Sequence, residues 1–137
     1  VTKDETGVVS VQALQHKVPK KAKQAYDHAA KLSKEGKYLE ASRELERAIQ
    51  IDASYADAHN NLGVQYMRLR RLEEAEREFR RAAELDPALA QAHANLATSA
   101  WFAGDLPRAE AEALRALALA PNDTQARTVL NAVTAGR

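Results

Sequence analysis

The chain has 137 residues, 20 lysines and arginines against 19 acidic residues, and no cysteine. The length points to one unit, the missing cysteine excludes a disulfide framework, a thiolate zinc site and a cysteine nucleophile, and the near-neutral charge argues against a strongly basic nucleic-acid binder. A globular balance of 45% hydrophobic and 28% charged residues, with 29 alanines but seven aromatic side chains, predicts closely packed helices. In chain order, residues 1–21 come first as an extended arm or linker. Val8-Val9-Ser10-Val11 is β-branched, Val18 precedes Pro19, and Lys17, Lys20 and Lys21 cluster at its end. Val1 is not an initiator and Met67 is the only methionine, so an upstream stretch, with any targeting information, is expected to have been removed. The compartment, cytoplasmic or exported, stays open. No apolar run approaches the roughly 18 residues of a membrane span, so no membrane insertion is expected.

Residues 22–123 divide into three copies at a spacing of 34: 22–55, 56–89 and 90–123. Ala48-Ile49-Gln50-Ile51-Asp52-Ala53 recurs as Ala82-Ala83-Glu84-Leu85-Asp86-Pro87 and as Ala116-Leu117-Ala118-Leu119-Ala120-Pro121. Tyr38, Leu72 and Leu106 share one register, Ala41, Ala75 and Ala109 another, and Leu45, Phe79 and Ala113 a third. In the middle copy Ala58, Leu62 and Tyr66 make one helical stripe and Leu72, Ala75, Phe79, Ala82 and Ala83 a second, with Arg70-Arg71 between. Each copy therefore predicts a helix, a short turn and a second helix. Gly36 and Gly104 fall in the turn of the first and third copies; Pro87 and Pro121 close the second helix of copies two and three. Residues 124–137 predict one more helix, with Pro121-Asn122-Asp123-Thr124 as its start and Ala126, Val129, Leu130 and Val133 as its apolar stripe. It is read as a cap whose polar outer face carries Arg127, Asn131 and Arg137, the alternative being a truncated fourth unit able to pair with a second copy.

This pattern resembles the tetratricopeptide repeat family over residues 22–123. In the middle copy Leu62, Gly63, Tyr66, Ala75, Phe79, Ala82 and Pro87 fill seven of the family's eight signature positions, and His59 stands in place of the frequent tryptophan. The third copy keeps Leu96, Ala97, Gly104, Ala109, Ala116 and Pro121 but has Ala100 for tyrosine and Ala113 for phenylalanine; the first keeps Gly36, Tyr38, Ala41, Ala48 and Ile51. The resemblance implies an all-α superhelical solenoid of antiparallel helix hairpins, with the first helices of successive units lining a concave face. The lead-in from Val-Ser-Val to Val-Pro-Lys-Lys-Ala resembles that of exported bacterial repeat proteins with a β-rich domain upstream, as in a bacterial multidomain protein.

The resemblance also implies which residues line the groove: Lys23, Tyr26, Asp27, Ala30 and Lys34 from the first unit, and Asn60, Asn61, Val64, Met67 and Arg68 from the second. The third gives Gln91, Ala94, Asn95, Thr98, Trp101 and Phe102, and the last helix Gln125 and Thr128. Asn61 and Asn95, 34 apart, either satisfy the backbone of an extended peptide or satisfy neighbouring backbone of their own chain. Trp101 and Met67 are candidate apolar anchors and Arg68 a carboxylate partner, although Trp101 can equally pack beneath the last helix. Chaperone-tail adaptors of this family use a clamp of lysines, asparagines and an arginine. Only Asn61 fits it; Tyr26, Ala30, Gln91 and Asn95 replace the rest, which disfavours a chaperone C-terminal tail.

Against catalysis, His16, His28, His59 and His93 have no accompanying metal motif, phosphate loop or carboxylate pair. His59 and His93 share a register suited to packing, and the Glu73/Arg77 and Glu76/Arg80 spacings predict a solvated outer face. The expectation is a non-catalytic adaptor or scaffold without cofactor or metal, binding a protein or peptide partner and no nucleic acid. The alternative is a spacer or homo-oligomerisation element forming a weak homodimer through its ends.

Overall fold

The structure, a computed structural model, describes residues 16–137. The expectations for the Val8–Val11 run and most of the arm lie outside the described residues. Among these residues seven helices follow in order: α1 (Lys20–Lys34), α2 (Tyr38–Ile51), α3 (Ala56–Arg68), α4 (Leu72–Leu85), α5 (Ala90–Phe102), α6 (Leu106–Leu119) and α7 (Thr124–Ala135). Among the described residues there is no strand. Each odd helix packs against the even helix after it, and each hairpin against the next, so the chain is an all-α solenoid. Among the described residues no helix is long and apolar enough to cross a membrane.

The same backbone device closes all three hairpins. Gly36, Arg70 and Gly104, 34 residues apart, take φ of 78°, 65° and 79°. That left-handed residue lets the next N–H reach back into the helix: Lys37 to the Leu32 carbonyl at 2.9 Å, Arg71 to Tyr66 at 2.8 Å and Asp105 to Ala100 at 2.9 Å. Glycine has no Cβ to strain there, whereas Arg70 adopts the conformation at a cost. Between hairpins, the Asp52 and Asp86 carboxylates accept the N–H groups of Ser54 and Ala88, each at 3.1 Å, and fix the turn into the next helix. At the third seam Ala120 offers no carboxylate, and Asp123 instead caps α7 by accepting the Ala126 N–H at 2.9 Å.

Small residues set the helix spacing. Ala41, Ala75 and Ala109 are fully buried at one register and Ala48, Ala82 and Ala116 at another. The larger side chains fill what remains, but unevenly. One apolar core joins the first two hairpins through Leu32, Leu45, Tyr55, Leu62, Tyr66 and Phe79, and reaches Leu96. A second, beneath α5, α6 and α7, consists of seven alanines with Val129 and Val133. On the outer face Arg80 meets Glu76 at 2.6 Å, and Arg108 of α6 reaches the same carboxylate at 3.3 Å. The expected Glu73/Arg77 pair does not form among the described residues; both side chains border a hollow beside Leu72, Ser99 and Phe102.

Candidate peptide-binding face

The odd helices approach one another directly, α3 to α5 and α5 to α7, as the even helices do not. That side is therefore the inner side of the curve, and the side chains between odd helices decide what faces outward into it. Asn95, 8% exposed, donates to the buried Asn60 Oδ1 at 2.9 Å, and its own Oδ1 accepts from Gln125 Nε2 at 2.9 Å. Gln125 Nε2 also lies 2.8 Å from Thr98 Oγ1. One seam earlier, Asn61 Nδ2 donates to the Tyr26 hydroxyl at 2.9 Å. Tyr26 rests on Tyr55 with ring centroids 5.1 Å apart, and burial raises its hydroxyl pKa, so the phenol stays protonated.

This geometry corrects the expectation for three of the groove residues. Asn60, Ala94 and Asn95 are buried, because their registers point across to the adjacent odd helix. Asn61 and Asn95 do not present a free pair of amides, nor do they satisfy backbone; each is held by side chains of a neighbouring helix. A buried amide with a neutral partner on each side is costly to remove, and this side-chain ladder sets the angle between successive hairpins. Arg68 stands over the Tyr38 ring at 5.0 Å and donates to its hydroxyl at 3.2 Å, which ties the guanidinium to the hairpin below it.

Several of the other expected residues are at least partly exposed. Gln91 is exposed, Val64 and Met67 are half-buried against the core, and Trp101 and Phe102 are 37% and 61% exposed. Thr98, Trp101 and Phe102 of α5, with Gln125, Thr128, Val129 and Ala132 of α7, enclose an uncharged cleft of about 370 Å3. Trp101 stands at the edge of this opening, beside α7.

The histidines hold the scaffold together. His59 lies with Nδ1 2.8 Å from Glu78 Oε1 and Nε2 2.9 Å from the Ala53 carbonyl; His93 repeats this with Glu112 at 3.2 Å and the Pro87 carbonyl at 2.9 Å. Each ring ties the turn before an odd helix to the following even helix. The hydrogen bond to Glu112 raises the His93 pKa above its usual range against the opposing effect of burial. Burial pushes the Glu112 carboxyl up, and hydrogen bonds from His93 and Arg115 outweigh it, leaving the pKa below its usual value. The sequence pointed to packing at this register without revealing the carbonyl or carboxylate partners, which lie 6 and 19 residues away.

Hairpins stacked with their odd helices inward define a helical-repeat solenoid. A family profile described as tetratricopeptide repeat matches residues 56–89, and one described as TPR repeat matches residues 31–69. The first TPR of Spaghetti (RPAP3), solved bound to the HSP90 peptide SRMEEVD, superposes with a TM-score of 0.81 at 24% identity, covering 85% of this chain and 92% of that one. The second TPR domain of human RPAP3, in complex with the HSP70 peptide SGPTIEEVD, gives 0.77 at 31% identity over 83% and 95%. The Arabidopsis OM64 TPR domain gives 0.82 at 17% identity over 85% and 97%. No curated protein matches the sequence. The chain belongs to the tetratricopeptide repeat family.

Proposed function

We propose that this solenoid is a non-catalytic interaction module that takes an extended segment of a protein partner along the face of α1, α3, α5 and α7. The observation that carries the reading is the cleft between α5 and α7. Two large aromatic side chains stay exposed at its edge while smaller apolar residues are buried beneath, an arrangement suited to an apolar anchor residue. The related domains solved with HSP90 and HSP70 peptides support peptide binding as the activity of this fold. They do not carry over their ligand. At the registers where a carboxylate clamp has a lysine, an asparagine, a second lysine and an arginine, this chain has Tyr26, Ala30, Gln91 and Asn95, and Asn95 is buried in the ladder. The partner segment is accordingly internal to its protein rather than an acidic C-terminal tail.

The test is a peptide array read out by fluorescence anisotropy, with Trp101→Ala/Phe102→Ala as the variant. Each apolar anchor is worth about 1–2 kcal/mol, so affinity falls at least tenfold for every genuine ligand, and amidating a ligand's C-terminus changes nothing. Unchanged affinities in the double variant would remove the proposal. Self-association through the ends draws little support from α7, whose exposed residues include Arg127, Thr128, Asn131 and Thr134. A mass that stays monomeric across a concentration series is the expected result.

A further inference from the structure

The last turns of α1, α3 and α5 lie at one repeat register, and their side chains change steadily along the array. Ser33-Lys34 ends α1, Met67-Arg68 ends α3 and Trp101-Phe102 ends α5. The same edge of the face is cationic at one end, mixed in the middle and aromatic at the other. Charge follows the same direction on the whole helices. α1 carries five lysines against Asp27 alone, whereas α5 has no lysine, arginine, aspartate or glutamate. On α1, Lys20, Lys23, Asp27, Lys31 and Lys34 form one exposed stripe at helical spacing, and Asp27 is already paired with Lys23 at 3.0 Å. Lys31 and Lys34, in the last turn of α1, have no acidic partner among the described residues, and Lys34 shares its repeat register with Arg68.

From this ordering we infer that the bound segment is itself polarised: an apolar side chain seated in the Trp101/Phe102 cleft, and an internal acidic block lying against Lys31, Lys34 and Arg68. The inference rests on the proposed peptide-binding function and adds the charge order of the ligand. Spacing follows from helix packing. Two helix-to-helix steps of about 9 Å separate α1 from α5. An extended chain, at ~3.3 Å per residue, covers that distance in roughly six residues. Basic residues in a last helical turn also offset the carbonyl ends of the helix, and that local role alone would explain Lys34 and Arg68 without a ligand. It does not predict any dependence on a ligand's charge.

The experiment uses labelled ten-residue peptides with leucine at one end, three glutamates centred about six residues away and a Gly/Ser spacer, made in both sequence orders, each with a glutamine counterpart. At low salt, one order is expected to bind at least fivefold more tightly than its glutamine version. Lys31→Glu/Lys34→Glu should abolish that preference, with the circular dichroism spectrum unchanged. Equal binding of glutamate and glutamine peptides, both lost in Trp101→Ala/Phe102→Ala, would overturn the charge order and leave peptide binding standing. If no peptide binds in any order, both readings fall. Tighter binding of a single-stranded oligonucleotide or of vesicles containing phosphatidylserine, lost in the lysine variant, would assign the basic stripe to another class of partner and overturn the inference.

Discussion

At the scale of single residues, the conformations most informative about this chain are those that only one side chain tolerates. A Cβ on Gly63 would stand 2.5 Å from Phe79 Cε1 and 3.0 Å from the Ala75 carbonyl oxygen. Phe79 is fully buried and the carbonyl belongs to a helix, so neither yields easily. Gly63→Ala is expected to destabilise the fold by about 1–3 kcal/mol, in spite of alanine's better helix propensity, as read by chemical denaturation. Arg70 is the opposite case, a branched-Cβ-free but still hindered residue at φ 65° where the other two hairpins have glycine. Arg70→Gly should raise stability by about 0.5–1 kcal/mol, the strain relieved exceeding the extra freedom given to the unfolded chain.

Protonation acts at the same scale. His93 has an ordinary pKa of 6.5, raised in the fold, so its contribution is complete below about pH 6.5 and disappears as pH rises through the raised value. Glu112 has an ordinary value of 4.5, lowered in the fold, so its contribution is complete above about pH 4.5 and is lost as pH falls through the lowered value. The pair therefore supports the third hairpin most between about pH 4.5 and 6.5. Thermal melts should show a Tm that declines above pH 6.5, with a shallower decline in His93→Gln.

At the scale of elements, hairpins were legible in the sequence because their determinants are local and repeat every 34 residues. Gly36 and Gly104 marked turns, Pro87 and Pro121 marked helix ends, and Asp123 marked the start of α7. The seams between hairpins were not legible in the same way. Which of Asn60, Asn61 and Asn95 is buried depends on how far one hairpin rotates against the next, and that angle arises from contacts between side chains about 30–35 residues apart. An amide suits a groove and a buried ladder equally well, so residue type alone could not separate the two. The alanine-rich core under α5, α6 and α7 has its own consequence. Alanine buries far less apolar surface than leucine or phenylalanine, so this segment gains less from folding than the first two hairpins. Native-state hydrogen exchange should find amides of α6 and α7 opening at lower free energy than those of α3 and α4.

At the scale of the molecule, neighbouring repeats support one another, and a defect at a seam is felt on both sides of it. Asn95→Ala removes the middle member of the ladder: it leaves Asn60 Oδ1 without its donor and Gln125 held only by Thr98 and the Ala94 carbonyl, at a cost of about 1–3 kcal/mol. Any loss of ligand affinity in that variant would report the geometry of the face rather than a contact, which is why exposed Trp101 and Phe102 are the better probes.

The ladder also gives the array a mechanical character. A curved stack pulled at its ends must open on its inner side, and there the helices are joined by directional bonds between side chains: Tyr26 to Asn61 at the first seam, and Asn60 to Asn95 to Gln125 at the next two. Packed alanines can slide by fractions of an ångström at little cost, but a hydrogen bond between fixed amides weakens steeply once stretched. The solenoid should therefore behave as a stiff spring under small loads and yield at discrete steps, one seam at a time, with the width of its inner face nearly constant until the first rung breaks.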